Sequence, residues 1–430
     1  MKRARRGVAP TSSSAEASAR VDRMDEHVEA SAGAASSAPS TRQNPVRAAC
    51  GAFLTIASST GTSCVLLLLL GLLTWLGTLA QVELGLYEAQ KRYFESFALV
   101  ERVGPVPIPL PGGALVMGLL AVNLVVGGLA RLRRGWATAG VLVAHSGILL
   151  LLASGFVKTW WAEDGHVTLF EGQSAAHFES WQRWEIAITA PQSDGSVREL
   201  VVPEEQFRFA TGDAPARLAS PELPFQVEVG HVLANAEPAP AGTAPGTPAV
   251  DGVVLRALPR ETTAERNLAG AHVALIDPSS GARHAGLLWA AEREPLRVEF
   301  AGRTWSIALR HERYPLPFTL RLEDFRKEDH PGTAMPRSFE SDVTIVEAGA
   351  SRPLTISMNQ PLRSGGLVVY QASWGPSNAR PDSKLFSTFA VVRNPSDAWP
   401  LIACLVITLG LVFHFGRKLV RHVRLEARRS

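Results

Sequence analysis

The chain is 430 residues long, 46% hydrophobic and 19% charged, against about 25% charged in a typical soluble domain. The deficit is local: residues 48–82, 103–130, 135–157 and 398–416 contain no Asp, Glu, Lys or Arg. Each holds an apolar core near the roughly 17–25 residues needed to cross a bilayer. This excludes an ordinary soluble enzyme, and the uninterrupted 240 residues of 158–397 exclude a compact many-helix transporter.

Residues 1–47 carry eight basic and five acidic side chains and no hydrophobic periodicity, and read as a disordered cytoplasmic arm. The first apolar run begins far from the terminus, so it is expected to stay as an anchor and not to be cleaved as a signal peptide. It predicts a first transmembrane helix over 58–81. The linker 82–109 follows. Leu86, Tyr93, Phe94 and Phe97 fall at roughly helical spacing in it, which fits a short amphipathic helix lying on the membrane or packed on an exported domain. Pro105, Pro107, Pro109 and Pro111 read as a stiff extended lead into the second span, 110–130. The third span is 136–157, closed by Trp160 and Trp161 as an interfacial belt. The block 158–397 reads as a large mostly-β extracytoplasmic domain, a sandwich or open barrel. Seven short stretches, among them Glu185–Thr189 and Leu367–Tyr370, combine β-formers with turn signals such as Ser364-Gly365-Gly366. Residues 236–252 are rich in Pro, Ala and Gly and read as a mobile insertion. The last span is 398–416, followed by a basic tail, 417–430.

Charge sorts these segments into two sets. The arm, the Arg131–Arg134 link and the tail together hold 17 basic and 6 acidic residues, whereas 158–397 holds 23 basic and 30 acidic. Lys/Arg-rich short flanks stay in the cytoplasm. Both termini are therefore expected inside, with the β domain outside, in a cytoplasmic (inner) membrane protein in contact with lipid.

The chemistry is sparse. Cys50, Cys64 and Cys404 all lie in or beside spans and read as apolar filler, and the exported block has no cysteine, so neither a disulfide nor C-x-x-C redox chemistry is available to it. No nucleotide-binding, hydrolase or zinc-protease motif occurs. The exported histidines, His166, His177, His231, His272, His284, His311 and His330, have no metal-ligand spacing and read as surface or edge-strand residues, so no metal site is expected there. Nothing supports a nucleic-acid partner. No catalytic residue stands out.

The informative residue is His145. An ionisable group inside a span is costly and usually faces a partner or a cavity. Counted from Trp136, it lies roughly 13–14 Å deep at ~1.5 Å per residue. Neutral imidazole is a good axial ligand for haem iron. It is also a packing group that could bond Asn123 or a backbone carbonyl, and composition leaves both readings open. His414, near the inner interface, reads as an anchor.

Four stretches carry a family resemblance: Leu73–Gln81 (LTWLGTLAQ); Ala144–Leu151 with Glu163–Leu169 and Glu171-Gly172; Leu316–Phe325 continuing to Ser341–Ile345; and Asn359–Trp374 (NQPLRSGGLVVYQASW). In this order, with the last span after them, they resemble the ResB family, the CcsB-type subunit of system II cytochrome c biogenesis. The resemblance implies a membrane subunit acting with a ResC/CcsA-type partner in haem delivery to apocytochrome c. The chain would have no catalytic activity alone and would form part of a haem-attachment complex. It implies haem b, held transiently and shared with the partner, with His145 as an axial ligand to the iron. The partner's tryptophan-rich haem motif is absent here: Trp160-Trp161 lacks its surroundings. The alternative is a non-catalytic scaffold whose β domain binds an exported partner while His145 packs. A weaker third reading is a transport component for another cargo.

Overall fold

The charge-free runs become helices because lipid offers the backbone no hydrogen bonds of its own. The computed structural model describes residues 51, 54–192, 194–333, 336–376 and 383–429; the arm over 1–47 and Cys50 lie outside them. Among the described residues, four helices are long and apolar enough to cross a membrane. Helix α1 (Thr60–Gln90) is capped by Ser59, whose Oγ accepts from the Gly61 amide at 3.1 Å, and continues through a π turn at Lys91–Glu95. Helix α2 (Gly113–Asn123) also runs on as a π segment, Leu124–Ala130. Buried Asn123 binds α2 to the start of α1: its amide donates to the Ala57 and Ser59 carbonyls at 2.9 and 3.1 Å and its Oδ1 accepts from Ser63 at 2.7 Å. Helix α3 is Ala139–Trp161, and α4 is Trp399–Glu426. The last helix thus continues beyond residue 416, carrying Arg417, Lys418, Arg421 and Arg424 on its final turns.

Near its C-terminal end, α1 packs on the β domain. Gly85 breaks the helix at φ 78°, and a Cβ there would lie 1.9 Å from the Thr262 carbonyl oxygen. Only glycine permits both that backbone and that approach. Arg260 then donates to Glu88 at 2.6 Å. The prolines that follow are not a lone extended lead: β1 (Ala98–Val103) and β2 (Val106–Pro111) pair as an antiparallel hairpin.

The described residues between α3 and α4 are mostly β, as their alternation predicts. β3 (Glu163–Phe170), β4 (Ser174–Pro191) and β5 (Val197–Pro203) follow α3. Then come β6 (Ala216–Leu218), β7 (Gln226–Leu233), β8 (Ala236–Pro240), β9 (Val253–Ala257), β10 (Gly270–Ile276) and β11 (Arg283–Trp289). β12 (Leu296–Phe300), β13 (Arg303–Asp329), β14 (Pro336–Glu347), β15 (Ala350–Ser357), β16 (Leu362–Ser364), β17 (Leu367–Gly375) and β18 (Phe386–Arg393) lead back to α4. Ten strands form one sheet, in the order β15-β14-β13-β4-β3-β18-β17-β16 with β12 on β13 and β5 on β4. A second sheet is ordered β11-β10-β7-β6.

Two cores result. Ile186 and Ile188 of β4 and Ile307 and Leu309 of β13 pack against Val227, Val273 and Leu275 of the smaller sheet, a sandwich. The rest of the large sheet curls round Phe178, Leu320, Leu322, Ile345, Val369 and Phe389. Ser341 of β14 reaches across to β17 and β18, 2.6 Å from Gln371 Oε1 and 3.0 Å from Ser387 Oγ. The domain is therefore sandwich at one end and curled sheet at the other.

Two expectations need correction. Residues 236–252 begin as a strand: Ala236–Pro240 pairs with β9, although it contains Pro238 and Pro240. A two-stranded ribbon tolerates proline, whose missing N–H matters only on a side that needs a donor. The strands are also not all short. β13 has 27 residues and β4 has 18, because their apolar alternation continues through the register shifts at His311/Arg313 and Pro315/Leu320. The turn at Gly365 and Gly366, φ 58° and 75°, joins β16 to β17; it is β18, one strand later, that returns the chain to α4.

Candidate functional site

His145 occupies the point where three helices meet. Gly140, Ala144 and Gly147 are buried on one face of α3, the small-residue spacing that lets membrane helices approach closely. A Cβ on Gly147 would come 2.9 Å from the Ala403 carbonyl oxygen, and one on Gly410 would come 2.5 Å from the Ala144 nitrogen. This face packs on α4. One residue beyond Ala144, a rotation of about 100° turns His145 towards α2. There Nδ1 lies 3.0 Å from the Gly128 carbonyl oxygen. A carbonyl can only accept, so Nδ1 is the donor in this contact. Gly128 makes the approach possible: a Cβ on it would sit 2.6 Å from that Nδ1. Of the two packing partners open to the sequence, Asn123 is committed to α1, and the backbone carbonyl is the one found.

Helix α3 begins at Ala139, not at Trp136, so His145 stands about 9 Å above the helix start at ~1.5 Å per residue. His414 packs beside Gly140, five residues nearer that start. Among the described residues of the four helices, no other histidine lies level with His145. For haem, the fit is partial and specific. At this level of the spans the described residues present one half-buried imidazole, oriented by the Gly128 carbonyl, and a second ligand would have to come from elsewhere.

In the β domain, the reading of surface or edge-strand histidines is overturned for His166, His272 and His311. β3 and β13, which carry His166 and His311, are interior strands of the ten-stranded sheet. Opposite them β4 bulges. His311 pairs with Trp184 and Arg313 with Glu179, so the four residues 180–183 stand opposite Glu312 alone. Buried Ser180 stabilises this bulge, its Oγ accepting from the Gln182 and Arg183 amides at 3.4 and 3.2 Å. The bulge stacks Trp181 on His166, ring centres 4.2 Å apart, and Trp184 on His311, 3.9 Å apart. The two imidazoles are 6.1 Å from each other. Each has a buried Nδ1 with no hydrogen-bond partner. Burial holds both rings below the ordinary histidine range, outweighing the opposing pull of Glu179. A second pair lies on the smaller sheet: His272, 8% exposed, has an orphan Nε2 and sits 5.2 Å from the His231 ring. Desolvation, aided by His231, takes His272 down to about 4. His231 itself is at φ 46° in a bulge of β7.

Other candidates resolve as structure. Cys64 and Cys404 are free and exposed on helices. Trp160 stacks on Phe156 at 5.2 Å within α3, as an interfacial aromatic does. Among the described residues, no group of three or more His, Cys, Asp or Glu could hold a metal ion.

No curated protein matches the chain. Two of the four stretches that carry the sequence resemblance, Leu316–Ile345 and Asn359–Trp374, lie in β13 to β17, the curled half of the domain and its return turn. It is there that a family model matches: residues 299–385 are similar to the ResB-like family.

Proposed function

We propose that the chain is the membrane subunit of a system II cytochrome c assembly complex, handling haem together with a ResC/CcsA-type partner. The observation that supports this reading best is the placement of His145: a half-buried imidazole inside a span, with Nδ1 3.0 Å from the Gly128 carbonyl oxygen where α3 meets the end of α2. In this reading His145 would hold haem b at the boundary with the partner, which would provide a further ligand. Haem, when bound, would supply the iron for the imidazole to ligate and the group that becomes attached to apocytochrome c. The residues of this chain hold and orient it: Gly128 fixes the ring, and the Gly140–Ala144–Gly147 face fixes α3 against α4. A site in the cytoplasmic half of the bilayer is placed to take haem before it moves outward. The charge asymmetry favours termini inside and the β domain outside in the inner membrane, where apocytochrome c would meet it.

The test is a pyridine haemochrome measurement on the purified subunit, alone and co-expressed with its partner. Haem that co-purifies with the complex and falls sharply in His145→Ala, with partial recovery in added imidazole, supports the reading. An unchanged haem content and cytochrome c yield in a normally assembled His145→Ala complex would falsify it and leave a scaffold whose β domain holds an exported protein.

A further inference from the structure

We propose that His166 and His311 form a two-imidazole site for a monovalent late-transition-metal ion, cuprous copper, on the β domain. The argument starts from the two orphan nitrogens. A buried polar atom without a partner costs about 1–3 kcal/mol and calls for an explanation, a missing ion among them. Here two such atoms belong to neighbouring rings, both Nδ1, on strands that come together only through the β4 bulge. Bulges commonly re-aim side chains beside functional sites.

The spacing suits one ion. At ~2.0 Å per metal–nitrogen bond and ~1.1 Å from nitrogen to ring centre, a near-linear pair of imidazoles has its centres ~6.2 Å apart. The observed separation is 6.1 Å.

The number of donors selects the ion. Zinc takes four ligands in structural sites and three with water in catalytic ones. No third His, Cys, Asp or Glu completes such a set among the described residues. The nearest carboxylate, Glu179, is engaged by Arg313, whose Nε donates to it at 3.0 Å. Two neutral nitrogens under two indoles form a soft, low-charge setting. A monovalent d10 ion needs only two ligands and brings only one charge into a partly dry site, where each uncompensated charge is expensive. Trp184 also lines a cleft of about 710 Å³ between the outer part of α1 and the β domain, which gives the His311 side of the pair a route to solvent.

The experiment uses the full-length protein in detergent micelles, without a polyhistidine tag and with its three cysteines alkylated to remove thiolate sites. Anaerobic titration with cuprous ion against a chromophoric cuprous chelator should show one equivalent bound. Indole emission should fall as it binds, since two of the ten tryptophans stack on the ligands. X-ray absorption should show two nitrogen scatterers with imidazole outer shells and no sulfur. His166→Gln and His311→Gln should each weaken binding at least tenfold, while His231→Gln leaves it unchanged. Failure of the wild-type protein to compete for the ion, sulfur in its shell, or equal affinity in His166→Gln and His311→Gln would overturn the site. Should either variant misfold, the wild-type stoichiometry and absorption spectrum decide.

Discussion

The Nδ1 of His145 and the carbonyl oxygen of Gly128, 17 positions apart in sequence, meet at 3.0 Å between the start of α3 and the π segment that ends α2. The contact orients a histidine inside a membrane span. It depends on the absence of a side chain at 128.

Replacing that glycine is therefore a second-shell experiment on His145. Gly128→Ala places a methyl 2.6 Å from the Nδ1 position and must push the ring aside. We expect haem retention by the complex to fall about tenfold, the usual scale for losing an orienting partner, with the helices still formed. Haemochrome content against circular dichroism of the same sample separates the two. Normal haem in Gly128→Ala would mean that the ring's orientation is immaterial.

Where α1 meets the β domain, two neighbouring positions should behave oppositely. Glu88 and Arg260 form an ion pair at 2.6 Å, but both are well exposed, and such pairs contribute about 0–1 kcal/mol. Glu88→Ala should barely shift thermal unfolding in detergent. Gly85→Ala must relieve a 1.9 Å clash with the Thr262 backbone at a positive φ, and should cost about 1–3 kcal/mol. Equal shifts in the two variants would remove the assigned role of the close approach.

Stability should fall as pH drops from about 6.5, the unfolded histidine value. His272 has its folded value depressed to about 4 by burial and by His231. The unfolded chain thus binds its proton first, and the native state loses stability between those values. His166, His177 and His311 are also depressed by burial and act in the same sense. Glu185 and Glu204, raised by burial, oppose this just above the ordinary carboxylate range. His272→Gln should flatten the acid side of the melting profile by on the order of 1–3 kcal/mol. A slope identical to wild type between pH 6.5 and 4 would show that His272 does not titrate on unfolding.

Membrane orientation can be read with fusions. Alkaline phosphatase joined after Ala301, in the turn between β12 and β13, should be active, and joined after Ser430 inactive. The reverse pattern would invert the proposed topology.

The four spans were legible because a charge-free run of helical length has few other uses, and His145 was legible because an ionisable group inside one is costly. Its partner was not: nothing local marks Gly128 among the other glycines of α2, and only the packing of two helices selects it. The β class was legible in short alternating stretches, but not the length of β4 and β13, since Pro315 and Pro317 interrupt the donors of β13 and its pairing shifts register there. His166 and His311 meet across 145 positions through a bulge. The one local trace is Trp181 and Trp184, three apart in a strand of period two, a break in alternation that signals irregular pairing.

The β domain joins the membrane by two chain segments, and they are bound to each other. β3 leaves α3 and β18 feeds α4. They pair along their whole length, with Glu163 and Arg393 bridged at 2.7 Å where they start and finish. Just below, Ser396 donates to the Ser154 carbonyl at 3.0 Å, and both serines are buried. Two legs fastened at the knee leave no swivel. A load that pulls or tilts the β domain must therefore turn α3 and α4 together, and α3 carries His145. Mechanical load on the β domain would reach that imidazole without any chemical messenger.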